Sequence, residues 1–219
     1  MIVMVIIPQI CHKTKKMNES IAPEDRQRFE NAMRRFDEEN ARDPNVQLKN
    51  DTPVPRELLY AEWLTDWVLR LSPQASETLR LAARSAHLCR WTIPRDSYPN
   101  DRAGYLCWRQ DLKKFHAQKT GEILRETGYP EEISTRVQAL VSKSAFPTNP
   151  ESRVLEDALC LVFLERQFSE LAAKSTDERV VNALQKAWKK MTPLAHELAL
   201  KLAYSPREKE LLNRAFGSP

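Results

Sequence analysis

The sequence predicts an all-α protein, a compact single domain of about eight helices, and three observations carry that expectation. Among 219 residues there are only 4 glycines against 14 prolines, a balance that suits helices punctuated by proline better than the many tight turns of a sheet. Apolar side chains recur at intervals of three and four along most of the chain, as one face of a helix requires. No stretch keeps the strict alternation of a half-buried strand.

Each expected element has its own signals. Pro23-Glu24-Asp25 supplies the proline and acids of a first turn, and Phe29, Met33 and Phe36 share one face of a helix over 23–40. Three prolines within 41–55 predict a loop. Leu59, Trp63, Trp67 and Leu71 recur every fourth residue and predict a second helix over 56–71. Ser72-Pro73 reads as a cap and first turn for a third helix to Arg90. Pro94 and Pro99 mark a loop over 91–100, and a long fourth helix follows over 101–127, stopped by Gly128. A short fifth helix is expected over 131–141. A sixth starts near Glu151, and its centre, 155–164, is apolar nearly all round, as in a buried central helix. Two more are expected over 177–190 and 193–203, with a last turn near 206–216.

Bulk properties narrow the function classes. The net charge is +4 with acids and bases interleaved, a mild surplus that suits an anionic small molecule and lacks the basic stripe of a nucleic-acid binder. Cys11, Cys89, Cys107 and Cys160 show no CxxC spacing and read as reduced thiols of a cytoplasmic protein. The apolar run Met1–Ile7 is far shorter than the ~20 residues of a membrane span, and it lacks the flanks of a signal peptide. Residues 1–16 are therefore expected to be an extension outside the core, with Met17 just before the first helix. Residues 17–205 would form the helical domain, and 206–219 a tail or short helix.

Ionisable residues on faces that should be buried are the candidates for chemistry, because a buried charge is costly unless paired or bound to metal. Glu62 lies beside Trp63, His87 beside Ala86, His116 beside Phe115, and Asp157 within the most apolar helix. If their stripes converge, two imidazoles and two carboxylates suit a divalent Mn, Fe or Zn ion. Taken singly, each also reads as a hydrogen-bonded core group or an ordinary helix-surface acid.

A second cluster lies at 85–117, where Arg90, Arg95, Arg102 and Arg109 accompany Trp91, Tyr98, Tyr105 and Trp108. Guanidinium groups grip phosphate or carboxylate bidentately, and the start of the fourth helix adds free backbone N–H groups. This predicts an anion pocket in which Trp91 or Tyr98 borders a base or sugar. The alternative is that the arginines bridge helices through Asp96, Asp101 and Asp111. His12 and His196 receive no role.

Four strings, RFENAMRRFDEENARDPN (28–45), ELLYAEWLTDWVLRLSP (57–73), LRLAARSAHLCRWTIPRDSYPNDRAGYLCWRQDLKKFHA (79–117) and LEDALCLVFLE (155–165), resemble an uncharacterised all-helical family, domain of unknown function 4202, over about 24–203. That family brings no established activity. A more distant likeness is to HD-type metal phosphohydrolases, which implies an orthogonal helical arrangement and metal ligands on separate helices. In that likeness His87 stands for the histidine of the His-Asp doublet, His116 for a further histidine, Asp157 for the late aspartate and Glu62 for the first histidine. Leu88 occupies the place of the doublet's aspartate, a departure that points toward a degenerate site.

Two functional expectations result. In the first, the protein is a metal-dependent phosphohydrolase of a small phosphorylated or nucleotide-like substrate. Glu62, His87, His116 and Asp157 would hold the ion, with Glu62 or His116 as base, and Arg90, Trp91, Arg95, Tyr98, Arg102 and Arg109 would hold the substrate. In the second, a non-enzymatic helical module binds an anionic ligand or a protein partner, and the same histidines and Asp157 form a structural network.

Overall fold

A computed structural model describes residues 23–217, so the expected extension at 1–16 lies outside the described residues. The described chain is built from ten α-helices and one small hairpin. The helices are α1 (Pro23–Asn40), α2 (Arg56–Leu71), α3 (Glu77–Ser85), α4 (Arg102–Glu126), α5 (Glu131–Ser142), α6 (Pro150–Val162), α7 (Phe168–Lys174), α8 (Asp177–Trp188), α9 (Pro193–Leu200) and α10 (Pro206–Phe216). The all-α expectation holds. The two helices beyond eight arise because a π-turn at Phe163–Gln167 divides the long sixth helix into α6 and α7, and because 206–216 is a full helix.

The core gathers the predicted stripes. Phe36 of α1, Leu59 and Leu64 of α2, Leu79 and Leu81 of α3, Leu124 of α4 and Leu161 of α6 are fully enclosed. In that core α2 lies against α6 and α3, α4 runs along α5, and α10 closes over α8. No described helix is long and apolar enough to cross a membrane.

The backbone departs from the sequence reading at three places. First, the expected loop at 41–55 contains a hairpin, β1 (Val46–Lys49) and β2 (Thr52–Pro55), paired antiparallel with Lys49 opposite Thr52. Asn50 and Asp51 both take positive φ, 50° and 63°, the geometry that a tight two-residue hairpin turn demands. Second, α3 begins at Glu77, because the Ser76 side chain accepts from the Leu79 backbone N–H. Ser72 instead closes α2 by donating its own N–H to the Val68 carbonyl.

Third, α3 stops at Ser85 and not at Arg90. Cys89 adopts a left-handed conformation, φ 54°, and its N–H is caught by the Asn40 side chain at 3.1 Å. The short turn at Arg90–Thr92 therefore leaves the helix axis and carries Arg90 and Trp91 sideways. The loop beyond is pressed onto α4 at Gly104, where any Cβ would lie 2.2 Å from the Pro99 carbonyl oxygen.

Candidate functional site: a cationic cleft

A cleft of about 670 Å³ opens where α2, the 86–95 segment, α4, the end of α5, α6 and α8 meet. Seven basic side chains line it, Arg56, Arg90, Arg95, Arg109, Lys143, Lys186 and Lys190, against two carboxylates, Glu57 and Glu156. Tyr60, Trp91, Tyr105, Trp108 and Phe163 supply aromatic walls.

The α4 wall arises from helical spacing. Tyr105, Trp108, Arg109, Leu112 and His116 fall at three- and four-residue intervals, so one face carries the cleft wall at one end and runs into the core at the other. Trp108 is fixed by donating its indole N–H to the Ile93 carbonyl at 2.9 Å. Arg90 lies over the Trp108 ring, 4.8 Å from its centre. Arg95 is held by the carbonyl oxygens of Tyr98 and Pro99 at 3.0 and 2.8 Å. Arg109 and Lys186 have no ion-pair partner among the described residues.

The opposite wall comes from distant segments. Lys143 ends α5 in a left-handed conformation, φ 62°, and its ammonium group pairs with Glu156. Lys190 pairs with the other oxygen of the same carboxylate at 3.0 Å. Burial works to raise the Glu156 pKa, but Lys143 and Lys190 outweigh it and hold the group below the usual carboxylate value. Lys143 is itself pushed below the ordinary lysine value, first by burial. Arg56 pairs loosely with Glu170 at 3.4 Å.

The floor holds Glu57, Tyr60, His87 and, behind it, His116. Asp43 accepts from the Glu57 backbone N–H at 3.0 Å and so anchors the first turn of α2. The Glu57 side chain is buried, 8% exposed, and its Oε2 accepts no hydrogen bond from the described residues. Its contacts with basic groups are loose: the His87 Nδ1 at 3.7 Å and the Arg90 Nε at 4.0 Å. Burial raises its pKa from 4.5 to about 7, with Arg90 opposing the shift.

The His87 ring stacks flat on Tyr60, centroids 4.2 Å apart and 12° from parallel. Burial, then Arg90, His116, Arg109 and Lys143, hold its pKa well below the ordinary histidine value, so the imidazole is neutral at pH 7. His116 donates from Nδ1 to the Leu88 carbonyl at 2.8 Å, which leaves Nε2 unprotonated, buried and without a partner among the described residues. Burial lowers its pKa to about 4.

A family model described as a domain of unknown function, DUF4202, matches residues 30–212. The chain belongs to that family. No curated protein matches it, and no solved structure matches it, so the likeness of this DUF4202 chain to HD-type enzymes rests on residue order alone.

The DUF4202 fold gathers part of the expected site and disperses the rest. Arg90, Trp91, Arg95, Arg109 and His87 line the cleft, and His116 lies directly behind His87, ring centroids 5.8 Å apart. Glu62 does not join them: it sits half-buried on α2 and pairs with Lys49 of the hairpin at 2.5 Å. Asp157 is buried but turned to α9, accepting from the Thr192 N–H at 2.9 Å and hydroxyl at 2.6 Å. The four expected metal ligands are thus not brought to one point. Among the described residues no group of three or more His, Cys, Asp and Glu is arranged to hold an ion.

Two of the expected substrate contacts also stand elsewhere. Tyr98 donates its hydroxyl to Asp111 at 2.9 Å, and Arg102 is exposed at the first position of α4. The start of α4 already carries its own anion, because Asp101 accepts from the Gly104 N–H at 2.6 Å. The cleft lies along the side of that helix instead.

The residues that sequence reasoning missed include Arg56, Glu57, Tyr60, Lys143, Glu156, Lys186 and Lys190. Each looks like an ordinary helix or loop residue in its own segment. Nothing in the sequence around Lys143 announces its distant partner Glu156.

Proposed function

We propose that the cleft binds a small phosphorylated anion. One observation carries this reading: seven basic side chains converge on one cavity with only two carboxylates, and Arg109 and Lys186 have no ion-pair partner among the described residues. Gathering so many cations costs self-repulsion, which a bound polyanion relieves. Arginine's fork suits phosphate oxygens, and Trp91 and Tyr105 at the wall suit a flat organic portion. Hydrolysis by an ion held on Glu62, His87, His116 and Asp157 has less support, since Glu62 and Asp157 are committed to Lys49 and Thr192.

The test uses the indole emission of Trp91 and Trp108, backed by calorimetry. Phosphate, pyrophosphate and adenosine with zero to three phosphates are titrated at low and high salt. Affinity is expected to rise with the number of phosphates and fall with salt. Arg109→Ala is expected to weaken pyrophosphate binding about tenfold or more, the scale of ~1.5–3 kcal/mol for a lost charge-assisted contact. Arg102→Ala, outside the cleft, should leave it unchanged. Absence of binding at low salt, or binding indifferent to Arg109→Ala, overturns the reading.

A further inference from the structure

We propose that His87 is a phosphoryl acceptor, which attacks the phosphorus of an anhydride-type donor held by Arg90 and Arg109 and forms a transient phosphohistidine. The inference rests on the phosphate-binding reading of the cleft and adds a reaction to it.

Geometry singles out His87 among the nucleophilic groups of the region. It lines the cavity, its ring is clamped against Tyr60, and its ring nitrogens make no hydrogen bond among the described residues. The alternatives are each disabled. His116 is 3% exposed and is not a cleft-lining residue. Lys143 is engaged by Glu156. The Cys160 thiol is buried, and burial pushes its pKa up to about 12, so it is not a thiolate at neutral pH.

The surroundings fit the step. The groups facing His87 are Glu57, Tyr60, Arg90, Arg109, Lys143 and His116. Burial first, and the three cations after it, keep the imidazole unprotonated, hence nucleophilic, and the cations also offset charge on the equatorial phosphoryl oxygens. Glu57 stands 3.7 Å from Nδ1, on the edge of the ring away from Nε2. With the proton on Nδ1, the Nε2 lone pair forms the N–P bond. The P–O bond to the leaving group breaks, and its electron pair departs with that oxygen. A carboxylate or phosphate leaving group needs no proton at neutral pH. The imidazolium that forms is stabilised through Nδ1–H by the Glu57 carboxylate. Water then adds to phosphorus, the N–P pair returns to Nε2, and the water proton goes to solvent. The sum is an acyl phosphate plus water giving a carboxylate and phosphate.

The experiment treats the full chain with isotopically labelled acetyl phosphate and maps the label by mass spectrometry. A phosphoryl group on His87, acid-labile and alkali-stable, is expected. His87→Gln should abolish it, Arg109→Ala should slow it at least tenfold, and Arg102→Ala should leave it unchanged. Labelling should fall severalfold from pH 7.5 to pH 6 as Glu57, whose pKa burial raises to about 7, takes up its proton, and that fall should be absent in Glu57→Gln. Site mapping on the unaltered chain keeps the test open even where a variant misfolds. A chain that binds pyrophosphate but carries no label on His87 overturns this inference and leaves the binding reading intact. Label spread over His196 and the other histidines, or equal in the urea-unfolded chain, also overturns it. Failure of pyrophosphate binding overturns the reading beneath it.

Discussion

At the scale of single residues, the cleft is a place where burial and charge are set against each other. Glu57 shows it most directly. Its folded pKa is raised to about 7, so the folded chain retains a proton that the unfolded chain releases near 4.5. Stability from this group is complete below about pH 4.5 and is lost as pH climbs through 7. A shift of that size corresponds to ~3 kcal/mol. Glu57→Gln is therefore expected to raise the urea midpoint at pH 8 and to leave it nearly unchanged at pH 4.5. Urea titrations of both chains at the two values check it, and equal midpoints at pH 8 would contradict the assigned burial. Retaining a carboxyl there at a cost in stability is what a functional residue would look like.

At the scale of elements, the expected late aspartate turns out to be a fastener. Asp157 joins α6 to the first turn of α9, and Thr192 in turn accepts from the Ala195 N–H to cap that helix. Asp157→Ala leaves the Thr192 backbone N–H and hydroxyl without their acceptor, for an expected loss of ~3 kcal/mol. Pyrophosphate binding at low temperature should stay within twofold, since the Asp157 side chain is turned away from the cleft. Denaturation and titration on one variant separate the two roles, and a large loss of binding with native stability would restore Asp157 to the site. The α3 end makes a related point. One buried amide, Asn40, holds Cys89 in its left-handed turn, and the direction of Arg90 depends on it. A continuous helix to Arg90 satisfies the local apolar spacing equally well, so only the contact with α1 decides against it.

At the scale of the whole molecule, the histidines set the response to acid. The folded pKa of His116 is lowered to about 4 and that of His87 well below its ordinary value, so both add stability that is present above 6.5 and lost as pH falls. Glu57 runs the other way over much of that interval, and one carboxyl cannot balance two imidazoles. The melting temperature is expected to be lower at pH 4.5 than at pH 7, with a steeper fall in Glu57→Gln. Calorimetric melts of the two chains across pH 4.5–8 check this, and a flat profile in the variant would contradict it.

Much of the fold was legible along the chain because its cues are local. The bounds of α1 and α2 coincide with those read from proline, acids and fourfold spacing, and Gly128 takes the positive φ expected of a helix stop. The hairpin was hidden because Pro53 and Pro55 argue against a strand, and because Asn50-Asp51 is a weaker turn signal than a pair containing glycine. Within the site, Arg90, Trp91, Arg95, Arg109 and His87 were legible together because they share one short stretch of sequence.

By itself the sequence determined the helical class, most helix limits, and a segment rich in arginine and aromatics beside two histidines. Only the tertiary structure decided which charges face that segment. It brought Glu57, Lys143, Glu156 and Lys190 to the cleft and took Glu62 and Asp157 to Lys49 and Thr192. The physical reason is range. Helix formation is governed by residues three and four apart, whereas the pairing of charges depends on how helices pack, and no periodicity records that.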